Sequence, residues 1–478
     1  MRSAESIDTI VVIGGGISGL SSAFYLRKMA KEQGRTIHIE LVEAEQQLGG
    51  KINTMRRDGF VIEKGPDSFL SRKLPIIDLA HDLGIEEELV PTNTKAAKTY
   101  IMKDGKLHEM PKGLVLGIPT SILPFLATEL VSGQGKLTAL ADVLMGPQPK
   151  DDDESLGGFL ARRIGDEIVK NIAEPLLAGI YAGDLYKLSL QATFPQFAQY
   201  EKDYGSIILG SRHNRAMMAE KNKGKAPATF MTFRKGLSTM VEALKKELEQ
   251  SAEGTVHTGT KVQAIVKQPD VYHLSLSNGQ KLSASAVIVT TPASAANELL
   301  QPHIENGMLA AMRYVSVANV VLAFDKASFD VDFDGSGFLV PRSEGLRITA
   351  CTWTSNKWLH SSPDDKVLLR CYVGHSEDQE SIKLDDEALV AAVREDIEKA
   401  IGLKAAPIFT EITRLNHSMP QYPVGHVQAI RDFRIELSEK LPGVWVTGAA
   451  FDGVGLPDCI RQGKEAASLI LDYIADKA

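Results

Sequence analysis

The stretch TIVVIGGGISG, residues 9–19, decides the kind of fold this chain adopts. Residues 9–14 make a short, apolar, β-branched run of the kind found in strands buried on both faces. A helix is expected directly after it, because Ile17, Leu20, Ala23, Phe24 and Leu26 recur at helical spacing and Gly34 supplies a stop. Residues 37–42, IHIELV, then read as a second parallel strand that closes a βαβ unit. The turn itself, Gly14-Gly15-Gly16-Ile17-Ser18-Gly19, satisfies GxGxxG. Its glycines serve a tight turn, close approach of a pyrophosphate and close packing of helix on strand. The helix start near Ile17 presents unpaired N–H groups and a positive dipole end to an anion. Glu43 follows the apolar end of the second strand, where a carboxylate can accept from ribose hydroxyls; Glu40 and Glu45 share the acidic stretch but not that position. These features specify a dinucleotide site and fit NAD and FAD alike.

Working outward, Gly49-Gly50-Lys51 gives a second close backbone approach with a cation attached. Residues 255–291 contain an alternating run, HLSLS, and the hairpin pair Asn278-Gly279, and end in the apolar strand AVIVTT. Near the C-terminus VWV reads as another buried strand, followed by TGAAFDGVGLPD and a helix from about Pro457 to Ile474. The nucleotide domain is therefore expected to draw on both chain ends. Between them, residues 156–177 show helical periodicity, DDDE at 151–154 reads as a solvated acidic run, and the basic stretch 212–227 reads as an exposed loop.

At 478 residues the chain exceeds the size at which one core keeps growing, so two or three domains are expected. A composition of 44% hydrophobic and 24% charged residues is that of a soluble globular protein. A net charge of −8 argues against general nucleic-acid binding, which needs a basic surface. Cys351, Cys371 and Cys459 form no CxxC pair, so neither a redox dithiol nor a metal site is expected, and a reduced cytoplasmic setting fits. The N-terminus lacks the basic and apolar regions of an export signal. Residues 114–131 approach the length of a membrane span, but Pro119 and Pro124 interrupt them. They read as a buried helical segment or as a patch in peripheral contact with a bilayer.

The pattern E-A-x(4)-GGK followed by Gly65-Pro66-Asp67-Ser68 resembles the flavin amine oxidase and protoporphyrinogen oxidase superfamily. More narrowly, VVIGGGISGL, GPDSFL, MPKG, EPLLAGIYAGD, TFPQF, SVANV, CTWT, SMPQY, VGH and TGAAFDGVGLPDCI resemble the bacterial oxygen-dependent coproporphyrinogen III oxidases over nearly the full length. The resemblance implies FAD as cofactor. It implies contacts to FAD from Gly14, Gly15, Gly16, Ile17, Ser18, Gly19, Glu43, Ala44, Gly49, Gly50, Lys51, Gly65, Pro66, Asp67, Ser68, Val262, Thr447, Gly448, Ala449, Val454, Gly455 and Leu456. It also implies three successive two-electron oxidations of a porphyrinogen, with oxygen reduced to hydrogen peroxide, in haem synthesis. No second GxGxxG follows a strand, so no separate NAD(P)H domain is expected. Where relatives often carry an aromatic residue before MPQY, this chain has Leu415, which places an aromatic contact there in question.

The expected fold is α/β: a Rossmann-like FAD-binding domain from residues 1–95, 230–300 and 425–478, a mixed-sheet substrate domain from 301–424 with contributions from 60–100, and a helical insertion at 101–229. Four propionates on the substrate call for cations beside the cleft. Arg72 and Lys73 are the first candidates, and Lys95, Lys98, Lys103, Lys106 and Lys112 form a further basic group. Ile180 and Tyr181, with Leu176, are candidate pocket walls. No catalytic base is assigned; His108, His417 and His426 are proton acceptors in principle, and structural roles are commoner. Protoporphyrinogen IX oxidation is the near alternative. An amine oxidase, a desaturase and a non-catalytic flavin protein that hands porphyrin to the next enzyme are the others.

Overall fold

The computed structural model describes residues 7–221, 229–250 and 253–477. At its centre is a five-stranded sheet in the order Gly254–His257, Ile37–Val42 (β2), Asp8–Ile13 (β1), Ala286–Val289, Val444–Val446, with every neighbouring pair parallel. The apolar run at 9–14 is buried on both faces, as its composition demands. Ile10 and Val12 pack with the helices Ile17–Glu32 (α1) and Leu456–Lys477, whereas Val11 and Ile13 pack toward an antiparallel three-stranded sheet, 262–284, and the helix His426–Lys440. The first and last strands in the chain thus lie in one sheet.

A seven-stranded sheet stands beside it, in the order Phe409–Pro420, Tyr314–Asp325, Lys366–Val373, Ile348–Trp353, Gly335–Leu339, Lys98–Lys103, Lys106–Glu109. It is antiparallel except between Gly335–Leu339 and Lys98–Lys103. Val320, Leu322, Leu369 and Cys371 turn to one face, which the helix Asp386–Ile401 covers with Leu389, Val393 and Ile397. Val321, Ala323 and Leu368 turn to the other and meet Phe60 and Ile62 on the hairpin 54–63. The same alternation aims Asn319, Arg370 and Tyr372 toward the nucleotide-binding half; Asn319 donates to the Lys64 carbonyl at 3.0 Å.

Residues 122–221 form a helical lobe around Phe125, Phe159, Leu160, Ile172, Leu177 and Phe197. Three local expectations change here. The stretch 114–131 is not one buried helix: two-residue strands at Leu114–Val115 and Ile118–Pro119 precede the short helix Ile122–Ala127, whose Leu123 is 81% exposed. The prolines divide it, and among the described residues no helix is long and apolar enough to cross a membrane. The acidic run is only half solvated, since Asp153 accepts from Ser189 Oγ, Gln191 N and Gly425 N, and Glu154 pairs with Arg162 at 2.7 Å. The basic stretch begins as helix, Ile207–Lys221; its remainder, 222–227, lies outside the described residues.

Candidate active site

The glycine turn sits where β1 ends and α1 begins, at the carboxyl edge of the parallel sheet, where crevices form in such folds. Gly19 cannot be replaced without moving the backbone: an added Cβ would stand 1.9 Å from the Gly14 carbonyl oxygen and 2.8 Å from Thr290 Oγ1. Gly16 is different. A Cβ there would meet nothing within 4 Å, and as N-cap residue it caps no N–H of α1 with a side chain. The helix N-terminus therefore opens on free space with its first-turn donors presented. Glu43 is held at the same edge, its carboxylate accepting from Gly15 N at 2.5 Å and Glu45 N at 2.7 Å. A glycine cradle, an uncapped helix start and an adjacent acid fit an adenosine diphosphate.

The other expected cofactor segments converge on this edge from distant parts of the chain. Gly49 N donates to the Gly15 carbonyl at 2.8 Å, which lays the GGK turn along the glycine turn. Thr260 N donates to the Glu43 carbonyl at 2.9 Å, two residues before the buried Val262. Ala44 is exposed. Lys51 reaches across the gap between the two sheets and donates to the Ser418 carbonyl. Gly65 packs so closely on Lys51 that a Cβ would fall 1.7 Å from the Lys51 carbonyl oxygen. At the C-terminal side, Thr447 N bonds Val289 O at 3.0 Å, and Gly448 lies against Ser18 and Thr290. The loop 447–456 thus comes back to the start of α1. The hydroxyls of Thr447 and Ser418 are buried there without a protein partner.

The Gly65–Ser68 segment rests on charge. Burial favours a neutral carboxyl at Asp67, but Lys357, 3.3 Å away, and Arg370 outweigh it and hold the group at about 2; Ser68 Oγ donates to it at 2.7 Å. Arg370 donates to the Gly65 carbonyl, and its Nε and Nη1 are buried with no protein partner. Sequence reasoning missed both cations, which no local motif announces.

Among the expected substrate residues, Lys73 is half-buried and pairs with Asp458 at 2.5 Å, at the first turn of the C-terminal helix. Arg72 is exposed. Tyr181 is buried and meets Tyr422 with ring centroids 5.8 Å apart, while Ile180 is 37% exposed. Lys95, Lys106 and Lys112 are exposed, Lys98 pairs with Asp334 at 2.7 Å and Lys103 donates to the Glu129 carbonyl, so the basic group does not converge on the cleft. His426 is buried, with Nε2 3.0 Å from the Phe451 carbonyl; His108 lies 3.3 Å from Glu129; His417 is exposed in a strand bulge at φ 47°. Among the described residues no cluster of His, Cys, Asp or Glu has the arrangement of a metal site.

Residues 17–471 match the flavin containing amine oxidoreductase family. The chain belongs to that family. It is 45% identical to the coproporphyrinogen III oxidase of Bacillus subtilis (strain 168), over 97% of this chain and 98% of that one. It is 40% identical to the enzyme of the same name from Staphylococcus aureus (strain NCTC 8325 / PS 47), over 97% and 99%. A solved structure from Exiguobacterium sp. 255-15 superposes with a TM-score of 0.86 at 35% identity, covering 98% of this chain and 100% of that one. The family settles the choice that GxGxxG left open: the cofactor is FAD, and the protein is a flavin-dependent oxidoreductase.

Proposed function

We propose that this protein oxidises coproporphyrinogen III to coproporphyrin III in haem synthesis, removing six electrons with oxygen as acceptor and releasing hydrogen peroxide. The observation that carries the reading is identity of 45% and 40%, over nearly the whole length, to two enzymes named coproporphyrinogen III oxidase. Bound FAD supplies two-electron acceptance from a meso C–H, chemistry that belongs to the cofactor. The chain's own task is to bind, orient and exclude water. In this reading Gly14, Gly15, Gly16, Ile17, Ser18 and Gly19 hold the pyrophosphate, Glu43 with Ala44 the ribose, and Val262 the adenine. Gly49, Gly50, Lys51, Gly65, Pro66, Asp67 and Ser68 line the middle, and Thr447, Gly448, Ala449, Val454, Gly455 and Leu456 hold the ring end.

Lys73 is the first residue to receive a propionate. It already holds a carboxylate, that of Asp458, and a substrate carboxylate can compete for the same ammonium. Arg72, exposed beside it, steers the tetra-anion, and Ile180 and Tyr181 supply apolar wall. The exposed leucines Leu123, Leu137 and Leu144 on the helical lobe support peripheral contact with a bilayer, and product passes to a following enzyme of the pathway.

Anaerobic titration with coproporphyrinogen is expected to bleach the flavin. In air, about three oxygens are expected per porphyrin formed, since each flavin cycle carries two electrons. Parallel rates with protoporphyrinogen IX decide between four propionates and two. Failure to form fluorescent porphyrin from either substrate rejects the reading.

A further inference from the structure

The loop 447–456 owes its shape to three side chains that reach it from outside. Tyr422, just beyond the strand Phe409–Pro420 of the seven-stranded sheet, donates its hydroxyl to the Ala449 carbonyl at 2.5 Å and accepts from Gly453 N at 3.2 Å. One phenolic oxygen therefore ties the two arms of the loop. Gln462, on the C-terminal helix, accepts from Gly448 N at 3.2 Å and Asp452 N at 3.4 Å and donates to the Gly453 carbonyl at 3.3 Å. His426 stacks on the Tyr422 ring, centroids 4.2 Å apart and planes 15° from parallel. Its Nε2 donates to the Phe451 carbonyl at 3.0 Å, which fixes the tautomer. All three side chains are buried, Tyr422 completely.

The chemistry at position 422 is demanding. The position needs one group that both donates and accepts, at the tip of a ring long enough to reach the loop from the neighbouring sheet. A tyrosine hydroxyl provides both. Removing it leaves a half-buried carbonyl and a half-buried N–H without their partner, and the loop then relaxes to find others.

We infer that Tyr422 is a positioning residue for the ring end of the cofactor: its hydroxyl, seated on His426, sets the gap between the arms of the loop 447–456 and so aims that loop's N–H groups at the flavin. The inference rests on the proposed role of this loop as the ring-end contact. It gives the run MPQY a function separate from the strand that carries it, because the tyrosine lies past the strand end and couples the substrate-side sheet to the cofactor loop.

The test uses the full-length protein, FAD, and three variants. Tyr422→Phe keeps the ring, its stack on His426 and its edge contact with Tyr181. It is expected to raise the FAD dissociation constant, read by quenching of flavin fluorescence, by roughly 5-fold, the low end of the cost of leaving a polar group without its partner, since both groups are half-buried. It is also expected to blur the vibrational shoulder of bound-flavin absorbance and to lower the melting temperature of the holoprotein by more than that of the apoprotein. His426→Phe keeps a stacked ring, deletes the Phe451 bond, and is expected to move both readouts in the same direction by less. Gly455→Val tests the loop itself. If Gly455→Val retains wild-type FAD affinity, the loop is not a cofactor contact and the inference falls with that reading. If Gly455→Val weakens FAD but Tyr422→Phe changes only melting temperature, equally in apoprotein and holoprotein, the loop reading stands and the positioning role of Tyr422 is wrong.

Discussion

Burial raises the pKa of a carboxyl, and at Asp67 two cations reverse that effect. With the folded-state group at about 2 and the unfolded one near 3.8, the folded state binds the proton less tightly. The contribution is thus present above the unfolded value and lost as pH falls through the folded one. At 1.36 kcal/mol per unit it amounts to about 2 kcal/mol. Asp67→Asn is therefore expected to lower stability by about that much at neutral pH. Urea unfolding of both proteins checks it: the gap should narrow as pH falls below about 4. A gap that does not narrow below about pH 4 assigns the effect to another group. Asp67 was visible in the sequence because GPDS is a local pattern. Lys357 was not, since 290 positions separate the pair and only the path of the seven-stranded sheet brings them together. The same holds for Lys73, a candidate cation in the sequence, whose partner Asp458 comes from the other end of the chain.

Elements were legible where periodicity and punctuation agree and illegible where tertiary contacts decide. β1, α1 and β2 fall where the apolar run, the glycine turn and the helical spacing put them. The periodic stretch 156–177 instead breaks at Gly165, φ 87°, into Leu156–Ile164 and a further run of helical turns. A glycine tolerates that left-handed backbone, and the break leaves Arg162 and Arg163 at a helix end facing two other helices. Arg163 is buried and pairs with Asp142 at 2.5 Å and Glu201 at 3.1 Å, while Arg162 holds Glu154 and Glu201. This network also explains why the acidic run at 151–154 is not simply solvated. Arg163→Met removes the charge and keeps much of the volume, which leaves Asp142 buried beside neutral partners. The expected cost is about 3–5 kcal/mol, the range for breaking one side of a buried pair. Thermal unfolding monitored by circular dichroism reads it, and a loss under about 1 kcal/mol would mean that Ser206 Oγ and Ile208 N, which also bond Asp142, suffice for it alone.

Over the whole molecule, the proposed cofactor site draws on segments that have no contact until the chain folds. The glycine turn belongs to β1 and α1, whereas the loop 447–456 reaches it only because Val444–Val446 pairs with Ala286–Val289 and closes the edge of the same sheet. A ligand that touches one segment should therefore order one region, and a ligand that spans both should order both. Adenosine diphosphate matches the cradle at residues 14–19 and Glu43 and lacks the ring. FAD carries both halves. In hydrogen exchange on the apoprotein, adenosine diphosphate at saturation is expected to slow amides at 14–19 and 43–50 and leave 447–456 unchanged, whereas FAD slows all three. At about one hundred times its dissociation constant, FAD should add about 2.7 kcal/mol to stability. Spread over the unfolding entropy of a chain this long, that is a rise of about 3 °C in melting temperature. If adenosine diphosphate protects 447–456 as fully as FAD does, the loop is ordered through the sheet and not by the flavin ring, and the division of the site into an adenosine half and a ring half is wrong.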